Sequence, residues 1–129
     1  MSPYRFIPHT ADIAVELVAP DETGLRAAGL DALRELLVGA SPVQALEERP
    51  IEARGKDPVE RLVRFLEEAL YLYDAERFVP ARAGPSGVLG EPFDAARHTA
   101  TREVKAVTYH GVTVREDAAG LHTTIVFDV

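Results

Sequence analysis

The sequence LHTTIVFDV, residues 121–129, alternates between more apolar and more polar side chains, as a β-strand does when only one of its faces is buried. A second stretch, DIAVELV at residues 12–18, alternates in the same way. Asp12 and Asp128 lie on the faces opposite the apolar residues, so both project from one surface of the sheet if the two strands are neighbours. The more apolar face of the last stretch carries Leu121, Thr123, Ile125, Phe127 and Val129.

Two amphipathic helices are predicted between these strands. The first follows a cap at Asp21 or Thr23 and runs to about Val38, where a glycine and then a proline end it. The second begins at Asp57, which precedes a proline and then a glutamate in the first helical turn. This pattern caps free amides and complements the positive end of a helix. The apolar stripe of the second helix consists of Val59, Leu62, Val63, Leu66, Leu70 and Tyr73.

The other strands are predicted to be short and to be separated by turns rich in glycine and proline. Two helices among six or seven mostly short strands predict an α+β fold. We expect a single domain over residues 1–129, in which a mostly antiparallel sheet is covered on one side by the two helices. The candidate strands lie at 50–54, 77–82, 88–89, 102–109 and 111–115, with a turn at 117–120 before the last strand.

The composition of the 129 residues limits the class of protein. Hydrophobic residues make up 47% and charged residues 27%, as in ordinary globular domains. No apolar run approaches the roughly 20 residues of a membrane span, and the first residues lack the apolar core of a signal peptide, so we expect a cytoplasmic protein. Because the chain has no cysteine, thiolate catalysis and thiolate metal sites are excluded.

The charge balance narrows the choice of partners. Aspartate and glutamate number 21 against 14 lysines and arginines, which gives a net charge of −7. Proteins that bind nucleic acid directly normally present a basic face, because most of their affinity comes from phosphate contacts. We therefore expect no direct nucleic-acid binding. An acidic surface suits a cation or a basic protein partner better.

Three separated motifs resemble those of the archease family and follow the family's order. The first is HTADI at residues 9–13, the second is GEPFDAARHTATREVKAVTYH at 90–110, and the third is FDV at 127–129. EEALYLYD at 67–74 is also similar to the end of the family's second helix. The resemblance extends over essentially the whole chain. Within residues 90–110, which we call the signature segment, His98 taken alone is interpreted as a surface residue.

The resemblance implies a protein that assists an enzyme and is not one itself. Archeases act with the RtcB-type RNA ligase, which joins RNA ends in tRNA splicing and RNA repair. They promote guanylylation of a histidine of that ligase by GTP and allow repeated turnover, so the implied role is RNA ligase activator in tRNA processing. They also bind a divalent cation, commonly calcium, and the matching metal positions are Asp12, Asp128 and Val129.

The chemistry of these positions suits a hard cation. The α-carboxylate of Val129 would place a second anionic group beside Asp128. Two or three carboxylates without a thiol favour Ca²⁺, with Mg²⁺ or Mn²⁺ as alternatives, over zinc. His9 and Thr10 are candidates for orienting Asp12 from behind the metal site.

The signature segment holds two candidates for contact with the ligase or its nucleotide, Lys105 and His110. Outside such a motif, a lysine near glutamates on a strand is usually a solvated ion pair of small energy. We therefore place neither residue in the metal site.

One departure from the family's pattern follows the first helix. Many archeases carry an acidic residue there, whereas residues 37–41, LVGAS, contain none. With fewer protein ligands, the cation is expected to keep more water and to bind with lower affinity.

Two alternative functions compete with the accessory role. One is a small metal-dependent hydrolase that uses Asp12 and Asp128 with His9 as a base. No nucleophile motif or activating triad supports it. The other is a chaperone-like module that exposes its two apolar helix stripes to clients, although those stripes are better used to cover the sheet.

Overall fold

The computed structural model describes residues 3–7, 12–108 and 114–129, and within these ranges it contains two helices and eight strands. Neither helix is long and apolar enough to cross a membrane. The helices are α1 (Glu22–Val38) and α2 (Pro58–Glu76). The strands are β1 (Tyr4–Ile7), β2 (Asp12–Ala19), β3 (Glu47–Pro50), β4 (Phe78–Ala83), β5 (Gly87–Pro92), β6 (Ala106–Thr108), β7 (Arg115–Asp117) and β8 (Gly120–Asp128).

The strands form two sheets in which every described pair is antiparallel. The five-stranded sheet has the order β1-β2-β8-β6, with β7 also paired to β8, and the three-stranded sheet has the order β3-β5-β4. The predicted α+β class is confirmed. Its division into two sheets is a feature that the sequence patterns did not predict.

The central pair of the larger sheet is β2 with β8. Its register runs from Asp12 opposite Asp128 to Ala19 opposite Leu121. This confirms that the two alternating stretches are strands and are neighbours. Their apolar faces lie against the helices, where Val15 and Phe127 are fully buried.

The helices bury the stripes that their sequences predict. In α2 the buried residues include the whole predicted stripe, and α1 contributes a second row to the same core. A chaperone-like function would need these stripes exposed, so their burial removes its basis. The buried residues of α1 are Leu25, Ala28, Gly29, Leu30, Ala32, Leu33, Leu36, Leu37 and Val38.

Both helix starts are capped as predicted. The Asp21 carboxylate accepts the Gly24 amide at 2.8 Å, and the Asp57 carboxylate accepts the Glu60 amide at 2.9 Å. Each bond satisfies one of the amides that the first turn of a helix leaves free. At the end of α1, Gly39 adopts a φ of 59°, a conformation that favours glycine.

Two strand predictions were wrong in position. A strand was predicted at 50–54, but β3 occupies Glu47–Pro50. The prediction was wrong because β3 is an edge strand whose charged residues stay in water, so its burial does not alternate. The strand predicted at 102–109 is limited to Ala106–Thr108 among the described residues. Residues 102–105 instead follow a path between the end of α1 and β8.

Two further differences concern the edges of the larger sheet. Strand β1 was not predicted, although all four of its residues pair with β2. Strand β7 occupies Arg115–Asp117, so the predicted strand at 111–115 overlaps it only at its last residue. The rest of that predicted strand is Val114 and residues 111–113, and the latter lie outside the described part of the chain.

The cap of α2 gives a prediction about stability. Asp57→Ala should lower the free energy of unfolding by about 1 kcal/mol, because the Glu60 amide loses its acceptor. Asp57→Asn keeps an acceptor oxygen and should lose less. Urea denaturation of the three proteins measures the difference. If the asparagine variant is as unstable as the alanine variant, the charge of Asp57 matters more than its hydrogen bond.

Candidate functional site

The two predicted aspartates face each other at one end of the central strands. Asp12 begins β2, Asp128 ends β8, and the two are directly opposite in the antiparallel register. Directly opposed residues place their side chains on the same face, with Cβ atoms about 4.5–5.5 Å apart. Both side chains are half-buried. The structure therefore brings together two carboxylates that are far apart in the sequence.

The carboxylate pair, Asp12 with Asp128, lies on the face of the sheet that points away from the helices. The next pair along this face is Ala14 opposite Val126, and both of these residues are buried although they lie outside the main core. An apolar surface beside two anionic groups weakens their solvation and so strengthens their attraction for a cation.

Of the other predicted site residues, Val129 and Lys105 lie in the described part of the chain. Val129 follows Asp128 directly and packs its side chain against the core, so the two side chains point in different directions. Lys105 is exposed and precedes β6, and its backbone amide donates to the carbonyl of Asp128 at 2.7 Å. The predicted residues outside the described part of the chain are His9, Thr10 and His110.

The donors at the carboxylate pair fit a hard divalent cation in kind. Carboxylate oxygens are preferred ligands of Ca²⁺ and Mg²⁺, and these ions need at least six ligands. Within residues 3–7, 12–108 and 114–129, however, no three side chains of the Asp, Glu, His or Cys types are grouped as a metal site. Two side chains therefore form a partial donor set.

A second cluster of polar residues lies in the signature segment and has a different character. Glu91 in β5 is only 1% exposed. Its carboxylate accepts the Gln44 amide at 2.6 Å, both terminal nitrogens of the Arg97 guanidinium, and His98 Nε2 at 3.1 Å. The hydrogen bond from Arg97, the largest influence, helps lower the pKa of Glu91 to about 2, although burial alone would raise it.

His98 completes this cluster from the interior. Its Nδ1 accepts the Asp94 backbone amide at 2.9 Å, so the ring proton is on Nε2 and is donated to Glu91. The ring also packs on Phe93, with centroids 5.5 Å apart. The interpretation of His98 as a surface residue is wrong, because it is 2% exposed and satisfies a buried carboxylate.

The chain beyond His98 connects this cluster to the carboxylate pair. The Thr101 amide donates to the Leu37 carbonyl in the last turn of α1 at 2.9 Å. The Lys105 amide then reaches the carbonyl of Asp128. Residues 93–105 thus run from the smaller sheet, past the end of α1, to the larger sheet. Their described contacts give this part of the signature segment a structural role.

The lowered pKa of Glu91 gives a prediction about pH. The shift stabilises the fold fully above the unfolded pKa near 4.5, and this stabilisation disappears as pH falls through about 2. Glu91→Gln should cost about 3 kcal/mol at neutral pH, since it leaves buried donors without their charged acceptor. The difference from the unmutated protein should shrink as pH falls from 5 towards 2.

Unfolding free energies from urea titrations at several pH values test this. Glu116→Gln is the control, because Glu116 is an exposed residue of β7. A Glu91→Gln cost that does not change between neutral pH and pH 2 would show that the charge of Glu91 contributes nothing.

Comparison with known proteins finds a matching family, relatives in sequence and a similar solved structure. The model of the Archease protein family matches residues 4–129. "Protein archease" of Methanopyrus kandleri is 37% identical over 128 residues, which covers 89% of this chain and 91% of that protein. The protein of the same name from Pyrococcus furiosus is 32% identical over 127 residues, with 88% and 89% covered. The solution structure of Methanobacterium thermoautotrophicum protein 1598 is similar over both whole chains, with a TM-score of 0.77 and 26% identity.

Proposed function

The chain belongs to the archease family, and on this premise we propose that it is an accessory protein of an RtcB-type RNA ligase. In this proposal it promotes guanylylation of the ligase by GTP and allows repeated turnover during tRNA splicing in the cytoplasm. Family membership supports an accessory protein in preference to an enzyme. The pairing of Asp12 with Asp128 is the observation that carries the proposal.

The carboxylate pair supports the proposal because it joins two of the family motifs. Asp12 comes from the motif at 9–13 and Asp128 from the motif at 127–129. Their opposition across β2 and β8 gives these distant motifs one shared surface. A structural explanation of both residues is weak, because two like charges on adjacent strands repel each other.

We propose that the pair binds a divalent cation, with Ca²⁺ as the first candidate and Mg²⁺ or Mn²⁺ as alternatives. The α-carboxylate of Val129 is a further proposed ligand, and His9 and Thr10 are proposed to orient Asp12. When bound, the cation would supply positive charge at the surface that meets the ligase. The acid-free stretch at 37–41 implies more water ligands and weaker binding than a site with another carboxylate.

The hydrolase alternative needs a base beside the carboxylate pair. The base predicted for it, His9, lies outside the described part of the chain, and the histidines within that part are His98 and His122. His98 is enclosed by its bond to Glu91, and His122 lies six residues from Asp128 along β8, or about 20 Å. Neither of these two can act as a base at the pair, so the described histidines do not support the hydrolase alternative.

The direct test of the accessory function uses a cognate RtcB-type ligase with GTP and Mn²⁺. The yield and rate of covalent ligase–GMP should rise when this protein is added, and more than one RNA should be joined per ligase. An unchanged yield would contradict the accessory function. Hydrolysis of phosphoesters by this protein alone would instead favour the enzyme alternative.

The carboxylate pair gives a prediction that separates metal binding from folding. Calcium at one hundred times its Kd should stabilise the protein by about 2.7 kcal/mol and raise Tm by several degrees. Asp12→Asn or Asp128→Asn should abolish this rise and reduce ligase–GMP formation at least tenfold, on the order of 1.4 kcal/mol. The fold should be kept, because neither side chain fills the core.

Glu16→Gln is the matched control. Glu16 is on the same face of β2 as Asp12, two residues beyond Ala14, and its carboxylate accepts a hydrogen bond from the Arg5 guanidinium. The control should keep both the calcium effect and the stimulation. Loss of stimulation in the Asp variants with an unchanged calcium effect would place the cation elsewhere.

A further inference from the structure

One face of helix α2 is exposed to water, and it combines several carboxylates with an exposed aromatic ring. We define the α2 outer face as Glu67, Glu68, Tyr71 and Asp74, which recur at helical spacing and are all exposed. Tyr71 is 61% exposed and is one of two large hydrophobic side chains so exposed among the described residues. The other is Leu46, which precedes β3.

The carboxylates of this face have no basic partner among the described residues. Glu67, Glu68 and Asp74 form no ion pair, and neither does Glu103. Although Asp74 is exposed, partial desolvation of its carboxyl and, second, the nearby charge of Glu103 raise its pKa. Elsewhere the glutamates commonly pair with arginines, as in Glu16, Glu22, Glu52, Glu60, Glu76 and Glu91.

A groove runs beside Tyr71 between α2 and the segment after β3. Its volume is about 530 Å³, and Pro50 and Ile51 contribute apolar surface to it. The basic groups at the groove are neutralised locally, because Arg54 pairs with Glu52 at 2.7 Å and Arg64 pairs with an acid one turn earlier in α2. The unpaired Glu67 and Glu68 therefore give the groove its negative charge.

We propose that the α2 outer face docks a basic segment of the ligase, with an arginine or lysine seated on the Tyr71 ring between Glu67 and Glu68. This inference rests on the proposed function. A cation is attracted to the face of an aromatic ring, and flanking carboxylates strengthen that attraction. Tyrosine and arginine are both enriched at the centres of protein interfaces. A nucleic acid would be repelled by the same charges.

Two matched pairs of variants test the docking face by measuring binding to the immobilised ligase. Tyr71→Ala should raise Kd about tenfold, whereas Leu46→Ala, at the other exposed hydrophobic side chain, should not. Glu67→Lys should slow association about tenfold at low ionic strength and less at high ionic strength, whereas Glu116→Lys on β7 should change it little. Tyr71→Phe keeps the ring and should bind like the unmutated protein.

The outcomes separate this inference from the proposed function. Thermal melting first shows that each variant is folded, which is expected because these side chains are exposed. If the unmutated protein stimulates the ligase but Tyr71→Ala and Glu67→Lys bind like their controls, the docking face is overturned and the proposed function stands. If the unmutated protein neither binds nor stimulates the ligase, the proposed function fails, and the docking face fails with it.

Discussion

Glu91 carries a negative charge into the interior of the protein, where an unpaired carboxylate would be strongly destabilising. The groups that satisfy it all come from outside its own strand. Gln44 precedes β3, while Arg97 and His98 follow β5. The carboxylate therefore fixes two irregular stretches of chain at once, because either stretch could move only by leaving a buried charge without a donor.

This constraint extends to the carboxylate pair through the backbone. His98 is held by Glu91, the following chain bonds to the end of α1, and the Lys105 amide bonds to the carbonyl of Asp128. Asp128 is thus held on two sides, by β2 through its opposite residue Asp12 and by the signature segment. The signature segment therefore supports the site through its backbone, whereas the candidate metal ligands come from shorter motifs near the two ends of the chain.

The sequence predicts those parts of the fold in which local pattern and tertiary environment agree. Strands β2 and β8 alternate because one of their faces meets the helices, and α2 begins where Asp57 caps it. Strand β3 was predicted in the wrong position, because an edge strand with exposed charges has the composition of a loop. His98 was misplaced for a related reason: its burial depends on Glu91, and no periodic pattern reports a pairing between a strand and a loop.

The candidate site could be predicted from the sequence only in part. Opposite-face positions for Asp12 and Asp128 follow from alternation alone, but their direct opposition required the register of the sheet. The register also relates the pair to the α2 outer face. Ala106 of β6 lies opposite Asp128, α2 packs on β6, and Glu103 approaches Asp74 on that helix.

Asp128 therefore adjoins the edge strand β6, and α2 packs on β6 from the side of the sheet opposite to the carboxylate pair. Residues 103–106 span the interval between the pair and the helix face, and the exposed Lys105 is the basic residue of that interval. In the proposed complex, an exposed lysine near unpaired carboxylates would favour an acidic group of the partner at that point, because complementary charges fix the orientation of two proteins at an interface. Contact of the partner with Lys105 stays a prediction of the signature segment.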